Sequence, residues 1–281
     1  MNYGRRKTWE SQELLVIWRN HRIDEVLPGL TIPRPNAKNC LLRQWGDDIK
    51  EATFLGGQPL SGLKQMSVLQ DLDWHIIRCH YLEREQIHND LLDLNRQKQK
   101  LQFVKLLLGI TNRAGNFSAY DHSLGRQILA TNPNAIQRIF DLANEFISLD
   151  RGTDVPSMIK DARLHHFGIG VGSEASCMVN PKVCWIANTR TIFAHLVTKH
   201  GGNIAKAKEE LRLYRDNDAT SRKHQNWAGI HKELATSLTR IAEEGERLAR
   251  HATVEPGPII YLWADAIASE VYVRHNLKSS R

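Results

Sequence analysis

The sequence contains no long apolar run, and no stretch approaches the roughly 18 apolar residues that a membrane span needs. Its N-terminus, MNYGRRKTWESQELL, lacks the apolar centre of a signal peptide. The alternation of apolar and polar residues that is typical of half-buried strands is absent, and there is no internal repeat. These absences predict a mainly α-helical protein of the cytoplasm with no membrane partner.

Cysteine is scarce and follows no metal-binding spacing. The four cysteines are Cys40, Cys79, Cys177 and Cys184. None belongs to a CxxC pair, so we expect free buried thiols and no zinc or iron–sulfur site. His195 and His200 do not form an HExxH motif, and the stretch GIGVG lacks the GK[ST] of a phosphate loop. The sequence therefore predicts no metal and no cofactor.

Charge is the first indication of a partner. The formal net charge is +7, and charged residues make up 25% of an otherwise ordinary globular composition. A basic surplus attracts polyanions, of which nucleic acid is the commonest, although a generic soluble surface also accounts for it.

The first hundred residues divide into three parts. Residues 1–30 are expected to form a tail and one helix, and residues 31–62 an irregular segment with several prolines and glycines. A long amphipathic helix is predicted over residues 66–99, with Arg84 and His88 on a solvated face. The apolar stripe of that helix is expected at Leu69, Leu72, Ile76, His80 and Glu83.

The sequence from residue 101 onward predicts further helices. LQFVKLLLGI, residues 101–110, is the most apolar segment and predicts a buried helix, and residues 111–121 are expected to be a loop. Helices are then predicted in HSLGRQIL, TNPNAIQRIFDLANEFI, DVPSMIKDARL, CWIANTRTIFAHLVTKHGG, NIAKAKEELRLYRD, HQNWAGIHKELATSLTRIAEEGERLARHA and PIIYLWADAIASEVYV. We divide the chain into an N-terminal helical region (1–100), a core (101–200) and C-terminal helices (201–281).

A glycine-rich turn lies in the middle of this core. Gly168, Gly170 and Gly172 occupy alternate positions between two predicted helices. Glycine lets backbone approach backbone, and a helix that starts after such a turn directs free N–H groups outward. Those groups, together with the helix dipole, can bind a phosphate of a DNA backbone without reading its sequence. A tight helix–helix turn without a ligand would use the same glycines.

Over residues 101–200 the chain resembles the helix-hairpin-helix (HhH-GPD) superfamily of DNA glycosylases. His166-Phe167-Gly168-Ile169-Gly170 is similar to the Leu-Pro-Gly-Val-Gly hairpin of that family, and LQFVKLLLGITNRAG stands where its apolar helix and DNA-reaching loop stand. The resemblance implies an all-α fold of two helical lobes with a cleft between them, and double-stranded DNA as partner. No lysine occupies the position of the family's Schiff-base nucleophile, so the implied enzyme is monofunctional and leaves an abasic site.

The resemblance places Asn188 where the family has a catalytic aspartate. Base excision needs charge stabilisation of an oxocarbenium-like sugar and activation of water, and an asparagine carries no charge. Asp121 and Asp265 are candidates for the missing carboxylate. Three interpretations stay open: Asn188 positions water in an enzyme, the protein binds a base without cutting, or Asn188 is only the N-cap of the next helix.

Base excision also requires a flipped nucleotide and a pocket to hold it. The resemblance places Asn112 and Arg113 in the loop that enters the duplex. Trp185 and Trp263 are candidates for the pocket, although tryptophan in an apolar run is more often core. Arg190 is the candidate for a further DNA contact.

Two further hypotheses concern activity and setting. Arg190 and His195 form an R-x4-H motif that resembles the ribonuclease signature of HEPN domains, which makes an HEPN-like ribonuclease a second alternative. The chain keeps the order and spacing of the family's motifs but departs from it at individual residues, which suggests that it recognises an unusual base. Defence against phage DNA that carries modified bases is one setting for such an enzyme. We expect the protein to act as a monomer.

Overall fold

Helices make up the regular structure of the part of the chain that the computed structural model describes, residues 67–215 and 220–276. The helices, numbered in chain order, are α1 (Trp74–Arg96), α2 (Lys100–Leu107), α3 (Phe117–Asp121), α4 (Leu124–Thr131), α5 (Ala135–Ile147), α6 (Val155–Ala162), α7 (Ile169–Val179), α8 (Thr189–Lys199), α9 (Ile204–Arg215), α10 (Thr220–His251) and α11 (Ile260–Asn276). Short 3-10 turns lie at Ser67–Leu69, Arg113–Gly115 and Gly152–Asp154. The described residues contain no β-strand, which confirms the all-α prediction.

The helix α7 lies in the centre of the fold. It contacts α1, α3, α5 and α6, and each of its residues from Val171 to Val179 is buried. Residues 67–100 therefore pack on the 101–200 segment and share one compact unit with it. The two N-terminal segments that we predict over 1–30 and 31–62 lie outside the described residues.

The long N-terminal helix differs from its prediction in both start and orientation. A 3-10 turn precedes it, and the Asp73 carboxylate caps α1 by accepting hydrogen bonds from two backbone amides of its first turn. Ile76, expected in the stripe, is 46% exposed, whereas Arg84, expected in solvent, is fully buried. The buried face of α1 consists of Trp74, Ile77, Tyr81, Arg84, Ile87, Leu91 and Asn95. The prediction for Arg84 is wrong because carboxylates of other helices surround it.

Two shorter segments also depart from expectation. Residues 111–121, expected to be a loop, contain the 3-10 turn at Arg113–Gly115 and the helix α3, each capped by an asparagine. In the predicted segment TNPNAIQRIFDLANEFI, the helix α5 starts only at Ala135, and its N-cap Asn134 lies in the left-handed region, at φ 54°. In the predicted segment DVPSMIKDARL, Pro156 stands in the first turn of α6.

None of the helices in the described ranges has both the length and the apolar character needed to cross a membrane.

Candidate functional site

The connection between α6 and α7, residues 163–168, reverses the chain without a glycine in the left-handed region. The residues in the left-handed region are instead Arg163 and His166, at φ 47° and φ 65°. Phe167 is buried and anchors the connection to the core. Gly168 is exposed and stands at the N-cap of α7 with extended backbone, so no side chain caps the first amides of that helix. The cap of α7 is therefore open to solvent at Gly168, and the first amides of the helix have no side-chain partner.

The other two glycines lie inside α7 rather than in the turn. Gly170 is partly exposed, and a Cβ there would lie 3.9 Å from the hydroxyl of Ser118. Gly172 is buried, and its amide donates to the carbonyl of Gly168 at 2.8 Å. A Cβ at Gly172 would lie 2.5 Å from Cδ1 of Ile159, so glycine is required there for packing between α6 and α7. The expectation that Gly172 contacts DNA is therefore replaced by a packing role.

Asn188 caps α8 through both its side chain and its backbone. Its Oδ1 accepts hydrogen bonds from the amides of Arg190 and Thr191 at 2.9 and 3.1 Å, and its own amide donates to the Thr191 hydroxyl at 3.0 Å. The residue is 3% exposed. Its remaining group, Nδ2, donates to Oε2 of Glu174 at 3.4 Å. Asn188 therefore joins the N-terminus of α8 to a carboxylate on α7.

Glu174 is the most heavily hydrogen-bonded carboxylate of the site. Oε1 accepts from the amide of Phe117 at 2.8 Å and from Arg84 Nη1 at 2.9 Å. Oε2 accepts from the amide and the hydroxyl of Ser118 at 3.1 and 2.9 Å, as well as from Asn188. Burial favours the neutral acid, but Arg84 and the two backbone amides hold the pKa of Glu174 below its usual range, so the side chain is ionised at neutral pH.

Arg84 links this carboxylate to a second one. Its Nη2 lies 3.0 Å from Oδ2 of Asp265, and its Nη1 donates to the carbonyl of Ala114 at 2.6 Å. Arg84 and Glu174 are fully buried, and Asp265 is 1% exposed. Burial raises the pKa of Asp265 to about 6, although the charge of Arg84 opposes the shift. At neutral pH these three residues therefore carry one positive and two negative charges.

Phe117 separates the buried charges from a charged pair at the surface. The Arg84 guanidinium carbon lies 5.1 Å from the ring centroid, and that of Arg190 lies 4.2 Å from it. Arg190 Nη2 pairs with Oδ2 of Asp121 at 3.1 Å, and the two side chains are 20% and 49% exposed. Asp121, expected near Asn188 as a catalytic carboxylate, is thus the ion-pair partner of Arg190. His80 packs edge-on to the same ring at 5.2 Å, and burial, with the nearby arginines, holds its pKa well below the usual range, so it is neutral.

The loop predicted to enter DNA is tied to this cluster. Asn112 is partly buried, and its Oδ1 accepts from the amide of Ala114 at 2.9 Å, which shapes the 3-10 turn. The carbonyl of Ala114 in turn accepts from Arg84. A Cβ at Gly115 would lie 2.0 Å from the carbonyl oxygen of Leu106, so this loop approaches α2 closely. Arg113, next to Asn112, is partly exposed.

The tryptophans proposed for a base pocket are core residues in this structure. Trp185 is 4% exposed, stacks on His231 at 4.7 Å and donates from Nε1 to the carbonyl of that residue. Trp263 is 1% exposed and packs against Trp74 and Tyr81. Their contacts explain the fold, and contact with a flipped base stays a prediction.

The two residues of the R-x4-H motif point to different helices. Arg190 pairs with Asp121 on α3, whereas His195 Nδ1 lies 2.7 Å from the hydroxyl of Ser237 on α10. His195 is 6% exposed, and burial lowers its pKa. In HEPN domains the arginine and the histidine come from two subunits, so the ribonuclease alternative stays a prediction.

Cys177 and Cys184 are buried thiols outside any disulfide, as predicted, whereas Cys79 is only partly buried, and Cys40 lies outside the described residues. Within the described ranges, no group of three or more histidine, cysteine or acidic side chains is arranged to hold a metal. Comparison of the chain with protein-family models, with curated proteins and with solved structures yields no match.

Sequence reasoning missed the two residues that organise the site, Arg84 and Glu174. Arg84 stands one turn after His80 on a helix that looks charged on every side, and Glu174 is a lone acid in an apolar helix. The lone acid could have indicated a buried ion pair, because an ionised acid in a buried helix requires a cationic partner.

Proposed function

We propose that this chain is a monofunctional DNA glycosylase that binds double-stranded DNA at the start of α7 and excises a damaged or modified base at Asn188. The resemblance over residues 101–200 is the starting point. The observation that carries the proposal is the hydrogen bond between Asn188 Nδ2 and Glu174 Oε2, because it puts an ionised carboxylate behind the residue that replaces the family's aspartate.

The charge for catalysis comes from the buried cluster. Breaking the N-glycosidic bond leaves positive charge on the sugar, which negative charge nearby stabilises. Glu174, Asp265 and Arg84 together carry an excess of one negative charge when Asp265 is ionised. We assign charge stabilisation to this excess and positioning of the sugar to Asn188. No lysine stands at 172–174, so the product is an abasic site.

DNA binding rests on the α6–α7 connection. Gly168 is exposed, and nothing lies within 4 Å of a Cβ placed there, so a phosphodiester can approach the first amides of α7. Exposed Arg163, His165 and His166 surround this position. The contact would be independent of sequence, because it involves only the DNA backbone.

A second candidate function, a DNA-binding module without catalysis, is favoured by one observation. Asn188 Oδ1 already accepts two backbone hydrogen bonds, and both oxygens of Glu174 are fully used. Neither group is free to activate water in this arrangement. The two candidates share the binding surface and differ in whether a base is released.

A base-release assay separates the two candidates. The protein is incubated with duplexes that carry damaged bases and with natural modified phage DNAs, and free base and alkali-labile abasic sites are measured. We expect release from at least one substrate, and we expect Asn188→Ala to slow it by about a hundredfold, the usual loss when one transition-state contact is removed. The matched control is Asp73→Ala, which removes the side-chain cap of α1.

The control isolates catalysis from helix capping. Loss of either cap should cost about 1 kcal/mol of folding free energy, and both rates are measured on folded protein, so that loss of a cap alone would leave base release unchanged. Equal rates for the two variants would contradict a role of Asn188 in the reaction. DNA binding without release from any substrate would favour the non-catalytic module.

DNA binding at α7 is tested by two substitutions at one residue. Asparagine and aspartate are equally good N-caps, and the extended backbone of Gly168, at φ −77°, accepts both. We expect Gly168→Asp to weaken duplex binding at least about tenfold relative to Gly168→Asn, because only the aspartate repels a phosphate. Fluorescence anisotropy measures the affinity, and thermal unfolding should show similar stability. Equal affinities would contradict backbone binding at this helix.

A further inference from the structure

The guanidinium group of Arg190 is held in place by its neighbours and has N–H donors left to bind a second anion. The ring of Phe117 supports one face of it at 4.2 Å, and only 20% of the side chain is exposed. A guanidinium has five N–H donors in a rigid fork, and the structure shows one hydrogen bond from it, to Asp121. Phosphate oxygens match that fork in a bidentate manner.

The partner of Arg190 is weakly held. Asp121 is 49% exposed and lies at the last position of the five-residue helix α3. Exposed ion pairs of this kind contribute little to stability, since water screens both charges. A phosphodiester that displaces the Asp121 carboxylate would therefore meet a small energetic barrier and an oriented cation.

The pair lies next to the proposed DNA surface. Helix α3 contacts α7, and the Ser118 hydroxyl lies 3.9 Å from a Cβ placed at Gly170. Asn116, just before α3, donates to the carbonyl of Val171 at 3.0 Å. Arg190 lies in the first turn of α8, two residues after Asn188. A DNA backbone that contacts the start of α7 is thus close to the guanidinium of Arg190.

We propose that Arg190 forms a second phosphodiester site and that Asp121 occupies it in the free protein as an internal carboxylate which DNA must displace. This inference rests on the proposed function, since it takes DNA as the ligand. The exchange lowers affinity for any passing polyanion, because each binding event must first break the pair. It also gives Asp121 a role other than catalysis.

The test is a double-variant cycle on duplex affinity. We expect Asp121→Asn to bind a short fluorescent duplex about two- to fivefold more tightly than the wild type, which is the loss of a surface competitor. Arg190→Gln should bind more weakly, and its dependence on salt should fall by about one phosphate contact. In the Arg190→Gln background, Asp121→Asn should have only the small effect of removing one surface charge.

A matched control accounts for general electrostatics. Asp161→Asn removes an exposed carboxylate of α6 that lies close to the connection with α7 and forms no ion pair with another described residue. Its effect on affinity should be the same in the wild type and in the Arg190→Gln background, as general removal of charge requires. The effect of Asp121→Asn, by contrast, should fall in the Arg190→Gln background to that of Asp161→Asn.

The outcomes distinguish this inference from the function on which it rests. If Gly168→Asp abolishes binding and Asp121→Asn leaves affinity unchanged, the exchange is refuted while backbone binding stands. If Asp121→Asn tightens binding equally with and without Arg190, the carboxylate acts only through long-range charge, which also refutes the exchange. If neither wild type nor Gly168→Asn binds duplex DNA, both proposals fail.

Discussion

Replacing Arg84 with methionine should destabilise the protein by about 3–5 kcal/mol at neutral pH, the usual result when one partner of a buried ion pair is removed. Arg84 is fully buried between Glu174 and Asp265. Methionine fills much of the same volume, so the loss reports charge rather than a cavity. Without the guanidinium, two carboxylates would lie in the core without a cation, and the carbonyl of Ala114 would lose its donor.

The control is Arg96→Met on the same helix. The side chain of Arg96 is 78% exposed and pairs only with Asp93, so its replacement should change the free energy of unfolding by less than about 0.5 kcal/mol. Urea unfolding of both variants measures the difference. The defect of Arg84→Met should also shrink on acidification, because protonated carboxylates no longer need the cation. A loss that is as small as that of Arg96→Met would mean that the buried charges are compensated in some other way.

The helical architecture was predictable because it depends on local signals. The position of Pro156, the glycines after α8 and the apolar run at 101–110 each correspond to a feature of the fold. The periodicity of the sequence places the buried face of α1 one residue too early. It assigns Ile76 to the core, whereas Ile77 is the buried residue. Helix periodicity alone does not separate neighbouring faces when charged residues stand on all of them.

The site was less predictable, because its contacts join residues far apart in sequence. Arg84 and Glu174 are separated by 90 positions, and only the packing of α1 on α7 brings them together. A lone arginine on a charged helix is normally in solvent, and nothing local distinguishes Arg84 from its neighbours. The cap role of Asn188 on α8 is visible in the sequence, since capping is a local property.

The glycines illustrate the same limit. Their alternate spacing predicts a flexible turn, yet two of the three lie within α7. The left-handed positions of the turn belong to Arg163 and His166, although few residues other than glycine adopt that conformation. Gly172 is required because Ile159 leaves no room for a Cβ, and tertiary packing of this kind is invisible in the sequence.

Asp265 should make the stability of the protein depend on pH in a direction opposite to that of most acids. Burial raises its pKa from 3.8 to about 6, so between these values the native state holds a proton that the unfolded chain releases. The contribution of this group to the free energy of unfolding is therefore largest below about pH 4 and is lost as the pH rises through about 6. The difference between the two pKa values corresponds to a loss on the order of 3 kcal/mol.

Asp265→Asn isolates this contribution, because asparagine does not titrate. Between about pH 4 and pH 7 the stability of the wild type should fall relative to that of the variant, and the difference cancels the groups that do not interact with Asp265. Ser269→Ala, one turn further along α11 and also buried, removes a polar group without a charge and should leave the pH dependence of the wild type unchanged. A constant difference between wild type and Asp265→Asn across this range would mean that the carboxylate is ionised throughout.

Because the proposed catalytic charge needs ionised Asp265, base release should then also persist at acidic pH, whereas a titrating Asp265 predicts that release declines below about pH 6.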